Sequence, residues 1–318
     1  MKECYLTQKP RHIPQAYGVD DTVYSKEDIV NNPATFCDTE YIFSTWGMPE
    51  FTEDEIKKYL PSLKAVFYAA GTVQKFARPF LNSGVKIFSA WAANAVPVAE
   101  YTVAQITLAN KGFFKSMRFT DKTEARKVFK NYPGNFNVKI GIVGAGMIGK
   151  LVINMLKAYR LEVLVFDPFL PDDTAKELGV KKVDLETIFS ECQVVSNHLA
   201  NNEQTKGMLC GKYFEKMLPF ATFINTGRGA QVVESELIET LKSRPDITAL
   251  LDVTDPEPPE KDSELYTLKN CILTPHIAGS SNNEVRRMGE YMQEEYKNFT
   301  KNKPCKYEVN LKMLETMA

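Results

Sequence analysis

The chain has 318 residues, 44% of them hydrophobic and 25% charged, with a formal net charge of −1. That length suits two domains with full cores, and the near-neutral charge argues against nucleic acid or an anionic membrane as the main partner. No charged-then-apolar leader opens the sequence and no apolar run approaches the ~18 residues of a membrane span. Residues 1–96 then alternate strand-like and helix-like patterns. Tyr41–Ser44 reads as a strand, Thr52-Glu53-Asp54-Glu55 as a capping box opening a helix that ends near Pro61, Lys64–Ala70 as a strand, Gln74–Leu81 as a helix and Val85–Phe88 as a strand. This rhythm implies a small parallel-sheet domain, with strand ends at Thr45-Trp46-Gly47, Ala70-Gly71-Thr72 and Ala90-Trp91 facing a ligand crevice.

Pro97 is expected to start a long helix running from Val98 to about Phe114 and carrying the chain into the next α/β unit. The Lys/Arg-rich stretch 111–130 reads as a solvated face or an oligomer arm. Beyond it, helices are expected over Asp184–Ser190, Tyr213–Met217 and Glu234–Ser243, and strands over Gln193–Asn197, Ala221–Asn225, Ile247–Val253 and Cys271–Thr274. A last helix from about Ser280 carries Val285, Met288, Met292, Tyr296 and Phe299 at helical spacing, a stripe suited to packing back on the first domain. The expected organisation is a substrate domain of residues 1–96 plus 283–318 and a nucleotide domain of residues 97–282. Its class is α/β, two Rossmann-like or flavodoxin-like parallel-sheet domains with the active site in the cleft between them. The six cysteines (Cys4, Cys37, Cys192, Cys210, Cys271, Cys305) have no CxxC or zinc spacing, which fits reduced thiols in the cytoplasm and no metal site.

The most informative stretch is Val138–Asp167. A β-branched apolar strand leads into Gly144-Ala145-Gly146-Met147-Ile148-Gly149, an amphipathic helix follows, and a second apolar strand, Val163–Phe166, ends on Asp167. A bare glycine turn could merely join strand to helix. With strand, helix and terminal acid all in place within about 30 residues, the pattern fits dinucleotide binding. Gly144 would make the tight turn, Gly146 would omit a Cβ in the way of a diphosphate, and Gly149 would let helix approach strand. Free N–H groups at the helix start would bind the diphosphate. Asp167 would accept hydrogen bonds from an adenosine ribose and repel a 2′-phosphate, favouring NAD over NADP.

Three side chains at strand ends suit the chemistry of such a cofactor. Arg228, in NTGRG, can grip a carboxylate bidentately or serve structurally as a helix cap. His276 is one of three histidines, with His12 and His198, and lies just past the last strand. It can act as a general acid–base or be an ordinary loop residue. Glu257, in LLDVTDPEPP, would orient an adjacent imidazole and favour its protonated form, or else be a solvated acid in a proline loop.

Taken together, GAGMIG with Asp167, SNHL at 196–199, INTGRGAQVVE at 224–234, LLDVTDPEP at 250–258 and TPHIAG at 274–279 resemble the D-isomer-specific 2-hydroxyacid dehydrogenase family over nearly the whole chain. NAVPVAEYTV at 94–103 is similar to the helix that joins that family's two domains. Within the family the likeness is to glyoxylate/hydroxypyruvate reductases and phosphoglycerate dehydrogenases. The resemblance implies Arg228 as substrate anchor, His276 as acid–base and Glu257 as its paired acid. It further implies Asp252 near the nicotinamide amide, and Met147, Ile148, Thr226 and Gly227 lining the cofactor. Ala70-Gly71-Thr72 would be a main-chain cradle for the substrate carboxylate, assisting Arg228. His198 and Leu199 are placed at the cofactor's adenosine rim, His198 as a structural or rim residue and not a proton carrier.

The implied activity is reduction of a 2-oxo acid to a D-2-hydroxy acid with NADH, or the reverse, by a homodimer with no nucleic-acid or membrane partner. Departures from the family pattern stand at Val73, where an Asp is common, and at Ala200 and Asn202 of the usual HxPxT; they bear on the pocket and the cofactor edge. Two other readings share the scaffold. One is a non-catalytic NAD(H)-sensing, corepressor-like protein, which would be expected to carry extensions that this chain lacks room for. The other is formate or phosphite dehydrogenation, and the formate branch has Gln where Glu257 stands.

Overall fold

Short strands that are buried along most of their length belong inside parallel sheets covered on both faces, and the computed structural model, which describes residues 2–117 and 121–315, has two such sheets. In chain order the strands are β1 (Glu3–Leu6), β2 (Val23–Tyr24), β3 (Tyr41–Ser44), β4 (Ala65–Tyr68), β5 (Lys86–Ser89), β6 (Phe136–Val143), β7 (Arg160–Phe166), β8 (Lys181–Lys182), β9 (Val194–Asn197), β10 (Thr222–Asn225), β11 (Thr248–Leu251), β12 (Cys271–Leu273) and β13 (Glu308–Val309). One sheet runs β13-β5-β4-β3-β1-β2 and the other β12-β11-β10-β9-β6-β7-β8. Every pairing is parallel except that of β13 with β5. The chain divides into two compact units, Met1–Asn94 with Ser280–Ala318, and Ala95–Gly279.

Alternation along the strands gives each sheet two apolar faces. In the first unit Ile42, Val66, Tyr68 and Ile87 belong to one core, while Phe43, Phe67 and Phe88 belong to the other. The second of these cores is closed by Val285, Met288 and Met292 of the Asn283–Thr300 helix. In the other unit Val143, Leu164, Val195 and Phe223 face one side, and Ile142, Val165, Val194 and Ile224 the opposite side.

Local chemistry sets the helix starts. Thr52 and Glu55 form the reciprocal capping box, with Glu55 N–H donating to Thr52 Oγ1 at 3.2 Å and Thr52 N–H to Glu55 Oε2 at 2.8 Å. Asp184 accepts from Thr187 N–H at 2.7 Å and opens the Leu185–Glu191 helix. Proline 97 corrects the sequence expectation. The helix runs Trp91–Asn110 and Pro97 lies inside it. A proline there forfeits one hydrogen bond, but Ala92, Ala93 and Ala95 of the preceding turns are buried, so packing overrides the local signal. The helix also stops before Phe114, because Gly112 adopts φ +67° and a separate short helix, Phe113–Ser116, follows. Within the 111–130 stretch, residues 118–120 lie outside the described residues.

Phe67 is fully buried and stacks on Phe88, with ring centroids 4.9 Å apart. Replacing it with alanine removes that contact and leaves a cavity, so Phe67→Ala should destabilise this unit by about 3–5 kcal/mol. Denaturant unfolding followed by near-UV circular dichroism checks this; a loss below about 1 kcal/mol would contradict the packing described.

Candidate active site

The glycine turn follows β6 directly. Gly144 has φ +94°, and a Cβ on it would come within 2.7 Å of the His198 carbonyl oxygen, so no other residue fits. A Cβ on Gly149 would lie 2.1 Å from the Gly144 carbonyl oxygen, so the helix Met147–Leu156 can start this close to the strand only with glycine there. At Gly146, by contrast, a Cβ would meet nothing within 4 Å: this side of the turn is open. Lys150 N–H donates to the Gly146 carbonyl at 3.1 Å as the helix opens, so the N–H groups of Met147 and Ile148 precede the intrahelical ladder. An open glycine edge beside these donors is the chemistry a diphosphate requires. Asp167, at the end of β7, accepts from Ala145 N–H at 2.7 Å through Oδ2 and from Phe169 N–H at 2.8 Å through Oδ1. It therefore fixes the turn as well as presenting an acid at its edge.

Arg228 follows β10 by three residues and is half-buried. Its Nη1 donates to the Gly227 carbonyl at 2.8 Å. Burial lowers its pKa, and the negative charge of Glu257 opposes that shift; a guanidinium so placed remains charged at neutral pH. Thr226, just before it, is buried with its hydroxyl 3.4 Å from that of Thr102.

His276 adopts φ +53°, an uncommon conformation for a residue with a side chain. Asp252, next after β11, holds it there. The Asp252 carbonyl accepts from His276 N–H at 3.1 Å. One carboxylate oxygen accepts from the Thr274 hydroxyl at 2.5 Å and from Ile277 N–H at 2.9 Å, and the other from Ala278 N–H at 2.8 Å. Tyr101 lies 3.1 Å from the Thr274 hydroxyl, adding a lateral stop. The His276 ring then places Nδ1 2.6 Å from Glu257 Oε1. Both side chains are about half exposed, at 49% and 41%, so the pair is open to a reactant. With Nδ1 bound to a carboxylate, Nε2 is the nitrogen left to exchange a proton.

Arg228, Glu257, His276, Asp252, Thr226 and the glycine turn thus share one unit and the carboxyl ends of its strands. Ala70-Gly71-Thr72 belong to the other unit. There the Ser89 hydroxyl donates to the Ala70 carbonyl at 2.9 Å and to the Gly71 carbonyl at 2.5 Å, and Ala90 N–H donates to Ala70 at 3.0 Å, which fixes the turn from below. Val73 is fully buried in the core with Phe76 and supports the loop from beneath. The Asn202 side chain accepts from Gln204 and Thr205 N–H and closes its own turn. The His198 ring is 8% exposed and turned inward, its Nε2 2.9 Å from the Ser196 hydroxyl; its main chain is what lies against Gly144. Sequence reasoning passed over Asn197, Asn225 and Gln231, whose amides are buried behind Arg228. The available signal was two Asn residues at the ends of strands buried on both faces, where an unpaired amide is costly.

Among the described residues no cluster of three or more His, Cys, Asp or Glu is placed to hold a metal ion, and no helix is long and apolar enough to cross a membrane. Residues 103–278 match the family model "D-isomer specific 2-hydroxyacid dehydrogenase, NAD binding domain". The chain belongs to that family of dehydrogenases, and the cofactor of the matched domain is NAD. Over 233 residues it is 31% identical to D-3-phosphoglycerate dehydrogenase of Archaeoglobus fulgidus, covering 73% of this chain and 44% of that protein. Over 155 residues it is 36% identical to glyoxylate reductase of Korarchaeum cryptofilum, covering 49% of this chain and 47% of the relative. The chain therefore spans about half the length of these curated relatives. A D-isomer specific 2-hydroxyacid dehydrogenase of Lactobacillus delbrueckii in its NAD-complexed form shares the fold, with a TM-score of 0.79 at 20% identity, covering 98% of this chain and all of the other.

Burial pushes the His198 imidazole down from 6.5 to about 4. The folded chain keeps it neutral where the unfolded chain protonates it, so its contribution to stability is full above pH 6.5 and is lost as pH falls toward 4. The loss is about 3 kcal/mol at ~1.4 kcal/mol per pH unit. His198→Gln should flatten the fall of stability between those pH values in denaturant titrations, and a parallel fall in both proteins would contradict this.

Proposed function

We propose that the protein reduces a 2-oxo acid to a D-2-hydroxy acid with NADH, or runs the reverse reaction, at the carboxyl ends of the strands of its Ala95–Gly279 unit. The observation that carries this reading is the His276–Glu257 pair, 2.6 Å from Nδ1 to Oε1, held by Asp252 at the carboxyl edge of the sheet that also carries the glycine turn. When bound, NAD supplies or takes up the hydride at C2 of the substrate. His276 Nε2 gives a proton to the carbonyl oxygen during reduction and takes it back during oxidation, while Glu257 balances the charge of the protonated ring. Arg228 grips the substrate carboxylate and stabilises the oxygen that gains negative charge, a term worth several kcal/mol in comparable sites. Main-chain N–H groups of Ala70-Gly71-Thr72 complete the carboxylate's shell. Met147, Ile148, Leu199, Thr226 and Gly227 line the dinucleotide and Asp167 accepts from its ribose. His198 joins them through its main chain.

A homodimer formed through the nucleotide domain accompanies this reading. Its support is a run of exposed apolar side chains in that unit, Leu108, Phe113, Met117, Phe129 and Phe136, the last 60% exposed. All six cysteines are free thiols, which fits the cytoplasm. The names of the curated relatives suggest glyoxylate and a phosphorylated three-carbon acid as the first substrates to try.

NADH absorbance with a panel of 2-oxo acids, from glyoxylate and hydroxypyruvate to branched and aromatic acids, tests the reaction. His276→Ala and Arg228→Ala should each lower kcat/KM by roughly 10²–10⁴, with NADH binding largely kept; undiminished turnover in either would sink its assigned role. No turnover on any acid despite tight NADH binding would instead favour a sensor of NAD(H). Asp167→Ala should narrow the preference for NADH over NADPH, and a parent that already prefers NADPH would contradict the ribose assignment.

A further inference from the structure

Gln231 is fully buried three residues after Arg228, and its carboxamide has every hydrogen-bonding position filled. Oε1 accepts from Asn197 Nδ2 at 2.6 Å and from the Arg228 main-chain N–H at 3.2 Å. Nε2 donates to the carbonyls of Leu199 at 2.8 Å and Ala200 at 3.0 Å. Three of these partners are main-chain groups whose donor or acceptor character is fixed, so the amide can stand only this way round. Asn225 continues the network. Its Oδ1 accepts from Asn197 Nδ2 at 3.0 Å and from Gly227 N–H at 3.1 Å, and its Nδ2 donates to the Arg228 carbonyl at 3.2 Å. The peptide groups on both sides of Arg228 are therefore pinned, the N–H by Gln231 and the carbonyl by Asn225.

The same amides explain why residue 227 is glycine. A Cβ there would lie 2.8 Å from Gln231 Oε1 and 2.9 Å from Asn197 Nδ2. The Gly227 carbonyl in turn accepts from Arg228 Nη1 at 2.8 Å, so the network's hold on this peptide sets the direction of the guanidinium.

We infer that Gln231 is a positioning residue that ties the Arg228 anchor to the 199–200 loop, so that the grip on the substrate carboxylate and the shape of the dinucleotide's edge are set by one buried side chain. The inference rests on the proposed function only in taking Arg228 as the carboxylate anchor. Its test uses two substitutions. Gln231→Met keeps the length without the polar atoms. Gln231→Glu keeps acceptors for Arg228 N–H and Asn197 but loses the donors to Leu199 and Ala200.

NADH dissociation constants by fluorescence, KM and kcat for the best 2-oxo acid, and melting temperature would be read for each variant. Gln231→Met should raise the NADH dissociation constant at least threefold and the KM of the acid at least tenfold. Gln231→Glu should recover most of the KM change while leaving NADH weakly bound. Variants that lose melting temperature but keep parental dissociation constant and KM would overturn the inference, as would a Glu variant that recovers both constants or neither. If the Glu variant does not fold, the Met variant decides alone. If the parent turns over no acid, the proposed reaction fails while the NADH constant of the Met variant still decides this inference: weakened binding supports it and parental binding overturns it.

Discussion

One buried carboxylate governs the chemistry available to this chain. Asp252 takes hydrogen bonds from Thr274, Ile277 and Ala278, and through its own carbonyl from His276, so a loop that would otherwise be free is fastened at four points. A left-handed residue with a side chain costs about 1–3 kcal/mol, and such bonds to a charged acceptor offset it at roughly 1.5–3 kcal/mol each. The placement follows from the sheet. β11 and β12 are parallel neighbours with Leu251 opposite Leu273, so Asp252 and Thr274 leave the sheet at the same edge. Only with that loop fixed does the His276 ring reach Glu257.

The glycine turn works by a related economy of parts. Asp167 bonds Ala145 N–H across the turn while standing at the end of the neighbouring strand. The acid expected to meet the cofactor thus also holds the turn that meets it. Arg228 is the opposite case: its main chain is held by neutral amides, Asn225 and Gln231, that carry no charge to compete for its guanidinium.

Much of the fold was legible because its signals are local. The strand Tyr41–Ser44, the helix Glu234–Ser243 and the capping box at Thr52 need only neighbouring residues to declare themselves. The two-residue strands Val23–Tyr24, Lys181–Lys182 and Glu308–Val309 did not, since a pair of residues has no period and owes its form to the strand beside it. Pro97 misled for the same reason in reverse: a strong local rule lost to burial of the alanines before it. In the candidate site the charged groups stood out by motif, whereas Gln231 and Asn197 did not. Their meaning lies in a hydrogen bond between two residues 34 positions apart in the chain, which no spacing rule reaches.

The first unit's sheet has a further consequence for how the molecule is made. Phe43, Phe67 and Phe88 are all translated before residue 89, but Val285, Met288 and Met292, which close that face, come from the Asn283–Thr300 helix. The Ala95–Gly279 unit is continuous and can complete itself while still attached to the ribosome. The aromatic face of β3, β4 and β5 waits throughout that interval, so the nascent chain carries this apolar surface without its closing helix for most of its synthesis.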